Sequence, residues 1–288
     1  MPELPEVEVA ARNLRRWTKA RRIRGVEAAA TSIVSAAGPL GLAPLVGARV
    51  RGVERVGKHL LLTLTRGRAT LGLWSHLGMT GKWVRRARAA PDAPRFSHVR
   101  LALDDGATLH YCDMRRLGRL RLVPDARFDE RPSLAALGPD PLRDGVDADR
   151  LHARLARVSL PIKVALLDQT ILAGVGNIQA SESLFRARLD PRRAARALTR
   201  AEVGRLARAI LASIAFTLAR FDEAGADRGD GEIVYVEENR ELNPFLVYGR
   251  AALPCPRGQG GVIKRIVQAG RSTFLCETCL AGAQKRGR

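Results

Sequence analysis

The sequence predicts an α+β fold: an antiparallel β half, then a helical half, then a cysteine-bearing hairpin at the C-terminus. Three observations predict it. Between Ala48 and Tyr111 apolar and polar residues alternate around tight turns, from Asp149 to Ile214 apolar residues recur at helical spacing, and Cys255, Cys276 and Cys279 crowd the C-terminal end.

Taken in order, Val7, Ala10, Leu14 and Trp17 make Glu6–Arg21 one amphipathic helix, with Pro5 at its start where a missing N–H costs nothing. Val50, Val53, His59–Thr65, a turn at Gly67 and Leu71–Leu77 follow as strands. Val99, Leu101 and Leu103 then run into Asp105-Gly106, a strong hairpin signal, and Leu109 and Tyr111 return from it. This half reads as an antiparallel sandwich or barrel, with Arg85–Arg95 a surface loop. The stretch Val123–Asp149, rich in Pro, Asp and Gly, marks a domain boundary. Helices are expected over Asp149–Arg157, Ile162–Gln169 and Ile178–Arg186, and then after Thr199, where Thr199 and Glu202 form a capping box and Val203, Leu206, Ile210 and Ile214 give a buried face. Asp222–Glu241 is acidic and contains glycine, so it reads as a mobile loop. The expected domains are 1–125, 126–222, 223–248 and 249–288.

The 288 residues suffice for roughly two domains. The 49 basic residues against 29 acidic ones give a net charge of +20. That surplus points to a polyanionic partner, because cations placed on phosphates release counterions. Only six of the 49 are lysine, leaving 43 arginines, so a GC-rich coding bias is a second source of the charge. No apolar run approaches a membrane span and the N-terminus lacks a secretory pattern, which predicts a cytoplasmic protein. Four cysteines in a chain this long argue against a disulfide scaffold, and 5% aromatic content argues against a stacking surface for single strands.

Three groups of residues can carry chemistry. Trimming of Met1 exposes Pro2 as a secondary amine, and a terminal amine titrates near ~8, so part of it is a free nucleophile at neutral pH. Its attack on an aldehydic carbon yields a permanently cationic iminium that labilises the adjacent C–H bond, with Glu3 and Glu6 close by for proton transfer. The same residues also read as an acidic helix start that complements the helix dipole. Lys58, in Arg55-Val56-Gly57-Lys58-His59-Leu60, sits at a hairpin mouth, as solvated lysines also do. Cys255 and Cys276-x-x-Cys279 supply three of the four ligands that structural zinc takes; Gly258 stands where a fourth would be, and a hairpin with leftover thiols is the other reading. Cys112 reads as a small buried hydrophobe.

These pieces occur with Ser75-His76-Leu77-Gly78-Met79-Thr80-Gly81, Leu137-Gly138-Pro139-Asp140-Pro141-Leu142, Gly174-Val175-Gly176-Asn177-Ile178, Ala180-Ser181-Glu182-Ser183-Leu184-Phe185, Val247-Tyr248-Gly249-Arg250 and Ala269-Gly270-Arg271-Ser272-Thr273-Phe274. Together they resemble the formamidopyrimidine-DNA glycosylase and endonuclease VIII family, most closely its first branch, nearly end to end. The resemblance implies a β-sandwich domain, a helical domain with a helix-two-turns-helix motif, and a zinc-finger-like C-terminal hairpin. It implies Pro2 as nucleophile on C1′ of a damaged nucleotide, Glu3 as acid and base on the sugar, Lys58 as proton donor in β-elimination and Arg271 as support for δ-elimination. His76, Lys163, Asn177 and Arg271 become candidate phosphate contacts, with Asn177 also read as the cap of its helix. Met79, Arg115 and Leu117 become the residues that fill the duplex when a base is flipped out.

Three positions depart from the family pattern. Leu117 stands where an aromatic wedge is usual, which weakens stacking. Gly258 replaces a cysteine, leaving Cys255, Cys276 and Cys279 as an incomplete zinc set. Phe96 occupies the place of a basic or histidine DNA contact just before His98. The expected protein is a monomeric, cytoplasmic, nucleoid-associated bifunctional DNA glycosylase and AP lyase acting on oxidised purines in double-stranded DNA, with zinc as possible cofactor. The alternatives are a preference for oxidised pyrimidines, a lesion-binding protein without catalysis, and a nucleic-acid chaperone working by charge alone.

Overall fold

The computed structural model describes residues 2–29, 32–34, 41–87, 93–225 and 243–285. The chain divides into two compact units, Met1–Ala135 with Phe221–Tyr235, and Ala136–Arg220 with Val236–Arg288.

The first unit opens with helix α1 (Leu4–Thr18), two residues earlier than its apolar spacing suggests, because Glu3 and Glu6 form a capping box that supplies the first turn. It stops at Thr18 rather than Arg21, and Ala20 turns the chain with a left-handed φ of +58°. Strand β1 (Ile23–Ala28) follows, unforeseen from the sequence. It lies at a sheet edge with only Ile23 buried, so no alternation marks it.

Strands β2 (Arg49–Val56), β3 (His59–Arg66), β4 (Ala69–His76), β5 (Gly81–Arg86), β6 (Ser97–Leu103), β7 (Thr108–Asp113) and β8 (Arg119–Pro124) complete two four-stranded sheets, β1-β6-β7-β5 and β2-β3-β4-β8. Every pairing is antiparallel. The sheets meet through Trp83, whose indole donates to Ser75 Oγ at 3.1 Å, and Tyr111, whose hydroxyl donates to the His76 carbonyl at 3.0 Å. Of the two readings left by the alternation, these separate facing sheets make the sandwich. The Arg85–Arg95 segment begins as the end of β5, and residues 88–92 of it lie outside the described residues.

The second unit is helical. Short helices α2 (Pro132–Ala135, at the end of the first unit) and α3 (Pro141–Asp144) lead to α4 (Ala148–Leu155), α5 (Ile162–Ala165), α6 (Asn177–Ala187) and the long α7 (Arg200–Glu223). Helix α5 is shorter than the expected Ile162–Gln169, because Asp168 Oδ1 takes the Thr170 N–H at 2.9 Å and turns the chain. At α7 the expected capping box is present, with Thr199 N–H to Glu202 Oε2 at 2.9 Å and Glu202 N–H to Thr199 Oγ1 at 3.3 Å. The finger is a hairpin of β9 (Lys264–Gln268) and β10 (Arg271–Leu275), followed by α8 (Glu277–Lys285). The expected loop region 223–248 falls largely on residues outside those described. Among the described residues no helix is long and apolar enough to cross a membrane.

Candidate active site and nucleic-acid interface

Pro2 is buried at the foot of α1, and the carboxyls beside it are sealed from water, Glu3 at 1% and Glu6 at 4% exposure. The Glu3 N–H donates to Glu6 Oε2 at 2.8 Å. Burial, and then the neighbouring Glu3 charge, push the Glu6 carboxyl up to about 7, which makes it a group able to hold or release a proton near neutrality. The two readings of this segment are therefore compatible, since the capping pair and the paired carboxyls are the same atoms.

Lys58 is the second residue of a two-residue loop joining β2 to β3, and Gly57 before it takes φ +56° as such a hairpin requires. A buried ion pair ties this loop to α1. Arg55 Nε donates to Glu8 Oε2 at 2.8 Å while Arg55 Nη1 donates to the Gly57 carbonyl at 3.1 Å. Neither Glu8 nor Arg55 stood out in the sequence, where nothing but adjacency to Pro2 and Lys58 marks them.

Directly across from each other on β3 and β4, His59 and His76 bring their rings to 5.1 Å. His59 Nδ1 accepts the Trp74 indole N–H at 3.1 Å, and His76 Nδ1 accepts the Gly78 N–H at 3.1 Å. Burial above all holds His59 near 3 and His76 near 4, with His76 and Arg131 adding to the first shift and Lys58 and Arg119 to the second. Each ring is thus neutral with its proton on Nε2, and His76 offers a donor of fixed orientation.

Met79, Arg115 and Leu117 lie on two exposed loops that share one buried carboxylate. Asp113 is fully enclosed; it accepts the Thr80 hydroxyl, the Arg115 N–H at 3.2 Å and the Gly118 N–H at 2.7 Å. Arg115 Nη1 reaches Met79 Sδ at 3.2 Å. A Cβ on Gly78 would fall 2.6 Å from the backbone of Leu117 and Gly118, so the loops close on each other only with glycine there.

In the second unit, Gly176, not Asn177, is the N-cap of α6. Asn177 is the first helical residue, and its Nδ2 donates to the Ser272 carbonyl on β10 at 3.0 Å, which frees the cap position for a residue with extended backbone. Gly174 takes a positive φ, +91°. Arg271 is exposed at the tip of the finger, whereas Lys163 on α5 is fully buried. Glu182 on α6, quoted in a motif but given no role, accepts the N–H groups of Leu246, Val247 and Tyr248 at 2.8 to 3.0 Å.

The sulfurs of Cys255, Cys276 and Cys279 lie within 4.8 Å of one another, with Cys255 and Cys279 at 3.5 Å. Metal–sulfur bonds of ~2.3 Å place tetrahedral ligands close to that spacing, so three buried cysteines here can hold a metal ion. Burial raises the Cys279 thiol to about 12, and the neighbouring thiols add to it; Cys276 moves down despite burial, because the Cys279 N–H, then the Cys255 and Cys279 thiols, and last the Thr278 N–H hydrogen-bond to its sulfur. Gly258 carries no ligand atom and has open space around it, as its sequence implied. The residue before it has another task. Arg257 donates to the Phe185 and Arg186 carbonyls at the end of α6, at 2.8 and 3.2 Å, and lies over the Phe185 ring. Cys112 is buried on β7, as expected.

Comparison with known proteins bears on both units. The formamidopyrimidine-DNA glycosylase N-terminal domain model matches residues 1–120 and the formamidopyrimidine-DNA glycosylase H2TH domain model matches residues 137–224. Formamidopyrimidine-DNA glycosylase of Paracoccus denitrificans is 40% identical over 97% of this chain and 99% of its own, and that of Rhodospirillum centenum is 39% identical over 96% and 98%. The MutM (Fpg) crystal structure from Thermus thermophilus superposes with TM-score 0.79 at 37% identity over 97% of this chain and 99% of its own. Lactococcus lactis Fpg in complex with abasic-site DNA gives 0.78 at 28% identity, over 96% and 98%. The chain belongs to the formamidopyrimidine-DNA glycosylase family and is a DNA glycosylase of base excision repair.

Proposed function

We propose that this enzyme removes oxidised purines, 8-oxoguanine and formamidopyrimidines, from double-stranded DNA and then cuts the abasic strand, acting as a cytoplasmic, nucleoid-associated monomer. One observation carries the reading: buried Pro2 stands beside two enclosed carboxyls, and the Glu8–Arg55–Gly57 chain ties that end of α1 to the Lys58 loop.

In this reading the Pro2 nitrogen, freed by removal of Met1, bonds to C1′ as the C1′–base bond breaks and the base leaves with a proton. Glu3 exchanges the proton on the sugar oxygen as the ring opens. The resulting iminium draws electrons from C2′, so loss of the C2′ proton expels the 3′ phosphate; Lys58 is the proton donor of this phase and Arg271 supports loss of the 5′ phosphate. His76 and Asn177 contact phosphates, the first as a neutral Nε2–H donor, whereas Lys163, the other candidate, is fully buried on α5 and reaches a phosphate only if its side chain is uncovered. Met79, Arg115 and Leu117 fill the space of the flipped nucleotide. Cys255, Cys276 and Cys279 would hold zinc at three of its four corners, where it supplies structural cross-linking and no chemistry.

Borohydride reduction of a mixture with 8-oxoguanine duplex tests this directly. A covalent protein–DNA adduct mapped to the residue-2 nitrogen is expected, weakened in Pro2→Gly, whose primary amine forms a neutral rather than a permanently cationic imine; a wild type that forms none acts as a lesion-binding protein only. The neighbouring Lactococcus lactis Fpg has been crystallised with both Fapy-dG and an oxidised pyrimidine in DNA, which keeps pyrimidine substrates as a second reading. Release of thymine glycol faster than 8-oxoguanine from matched duplexes would favour it.

A further inference from the structure

Phe96 is a large aromatic residue left 45% exposed, and its φ of +59° is a left-handed conformation that a bulky side chain disfavours. The strain is held by its surroundings. The Asp113 N–H donates to the Phe96 carbonyl at 3.1 Å, the His98 ring nitrogen pairs with the Asp113 carbonyl at 2.9 Å, and the β6–β7 register slips between Ser97 and Val99. Irregular pairing of this kind re-aims a neighbouring side chain. The same Asp113 that shapes the Met79 and Leu117 loops therefore also fixes Phe96, and one buried residue gathers three loops, each presenting an exposed apolar side chain.

Packing gains nothing from a strained residue held out toward water, so the strain points to a ligand. The rim is cationic: the Arg95 guanidinium lies 5.2 Å from the Phe96 ring centre, and Arg115 and Arg116 are exposed on the adjoining loop. An apolar face within a basic rim suits nucleic acid, whose bases stack and whose phosphates pair with arginine. Met79 and Leu117 are aliphatic, and Phe96 is the aromatic face of this group.

We propose that Phe96 is a DNA-binding residue that stacks on a base of the duplex beside the loops carrying Met79 and Leu117. The proposal rests on the glycosylase reading above. Binding to an 8-oxoguanine duplex and single-turnover base release should be measured for wild type, Phe96→Gly, Phe96→Leu and Phe96→Trp at matched salt, with melting temperatures alongside. Phe96→Gly relieves the backbone and keeps or raises the melting temperature, yet is expected to lose about tenfold in affinity, as does Phe96→Leu, while Phe96→Trp stays within about twofold of wild type. Unchanged affinity and base release in Phe96→Gly and Phe96→Leu would overturn the proposal. Borohydride trapping of the wild type on an 8-oxoguanine duplex separates the two failures: an adduct leaves the glycosylase reading standing while Phe96 falls, and no adduct removes the reading beneath it.

Discussion

At Glu6 two penalties coincide, since the carboxyl is sealed from water and faces a second carboxyl at Glu3. A folded value near 7 against 4.5 means that the native state holds this proton more tightly than the unfolded chain does. Stability from this group is present below about pH 4.5 and is lost as pH rises through 7, on the order of 3 kcal/mol in all. Glu6→Gln should flatten the fall in melting temperature between pH 5 and 8; an equally steep fall in the variant would assign the proton elsewhere. His59 and His76 behave in the opposite sense. Held near 3 and 4, both are neutral, and their contribution is lost as pH falls below 6.5 toward those values. Nitrogen-detected imidazole spectra should show Nε2-protonated neutral rings at pH 6, and titration of either ring above about pH 5.5 would contradict the stack. At this scale Pro2, Glu3 and Lys58 were legible as residue types with a chemistry, whereas the shifts of Glu6, His59 and His76 come from burial, which no local motif encodes.

Among the elements, the junction of α1 with the β2–β3 loop is open to a direct test. Arg55→Ala strips Glu8 Oε2 of its partner while Oε1 keeps Arg12 and Arg15 at 3.3 and 3.2 Å, a loss of about 1 to 3 kcal/mol, and it releases the Gly57 carbonyl beside Lys58. Strand cleavage at a preformed abasic site should slow more than duplex binding weakens; equal losses would make the pair purely structural. The finger is held by more than its thiols. Phe185, Val247, Ile263 and Phe274 pack with the three cysteines, and Arg257 anchors the loop to the end of α6. Chelator treatment should therefore lower the melting temperature by less than about 2 °C, well below the loss seen where zinc supplies most of the folding energy. A drop of about ten degrees would show a metal-dependent finger. Strands β2, β3, β4, β6 and β7 and the capping box of α7 were legible because alternation and capping are local signals, whereas β5 and β8 were not foreseen. Edge strand β1, the cap role of Gly176 and the clamp by Glu182 were not, since each depends on a partner far along the chain.

For the whole molecule, the net charge of +20 attracts a polyanion, but the cations that meet phosphates, not the net charge, set the salt dependence. Many arginines are already engaged within the protein, as in Arg55 with Glu8, Arg192 with Asp190 and Arg193 with Glu202. Neutralising all twenty net charges would give a salt slope near −18, whereas the roughly six to ten phosphate contacts of a compact footprint give roughly −5 to −9, the range expected here. A slope near zero would remove DNA backbone contacts from the account. Family and the α+β order of elements are written in the chain itself, because they reside in contiguous motifs and local periodicity, and the same motifs suggest Pro2 as the proposed nucleophile. Folding was needed to reveal that Asp113 organises three loops, that Arg55 couples the α1 end bearing Pro2 to the Lys58 loop and that Phe96 stands strained and exposed. Those facts are made of contacts between residues far apart in the chain, where geometry and burial, not residue type, fix what a side chain does.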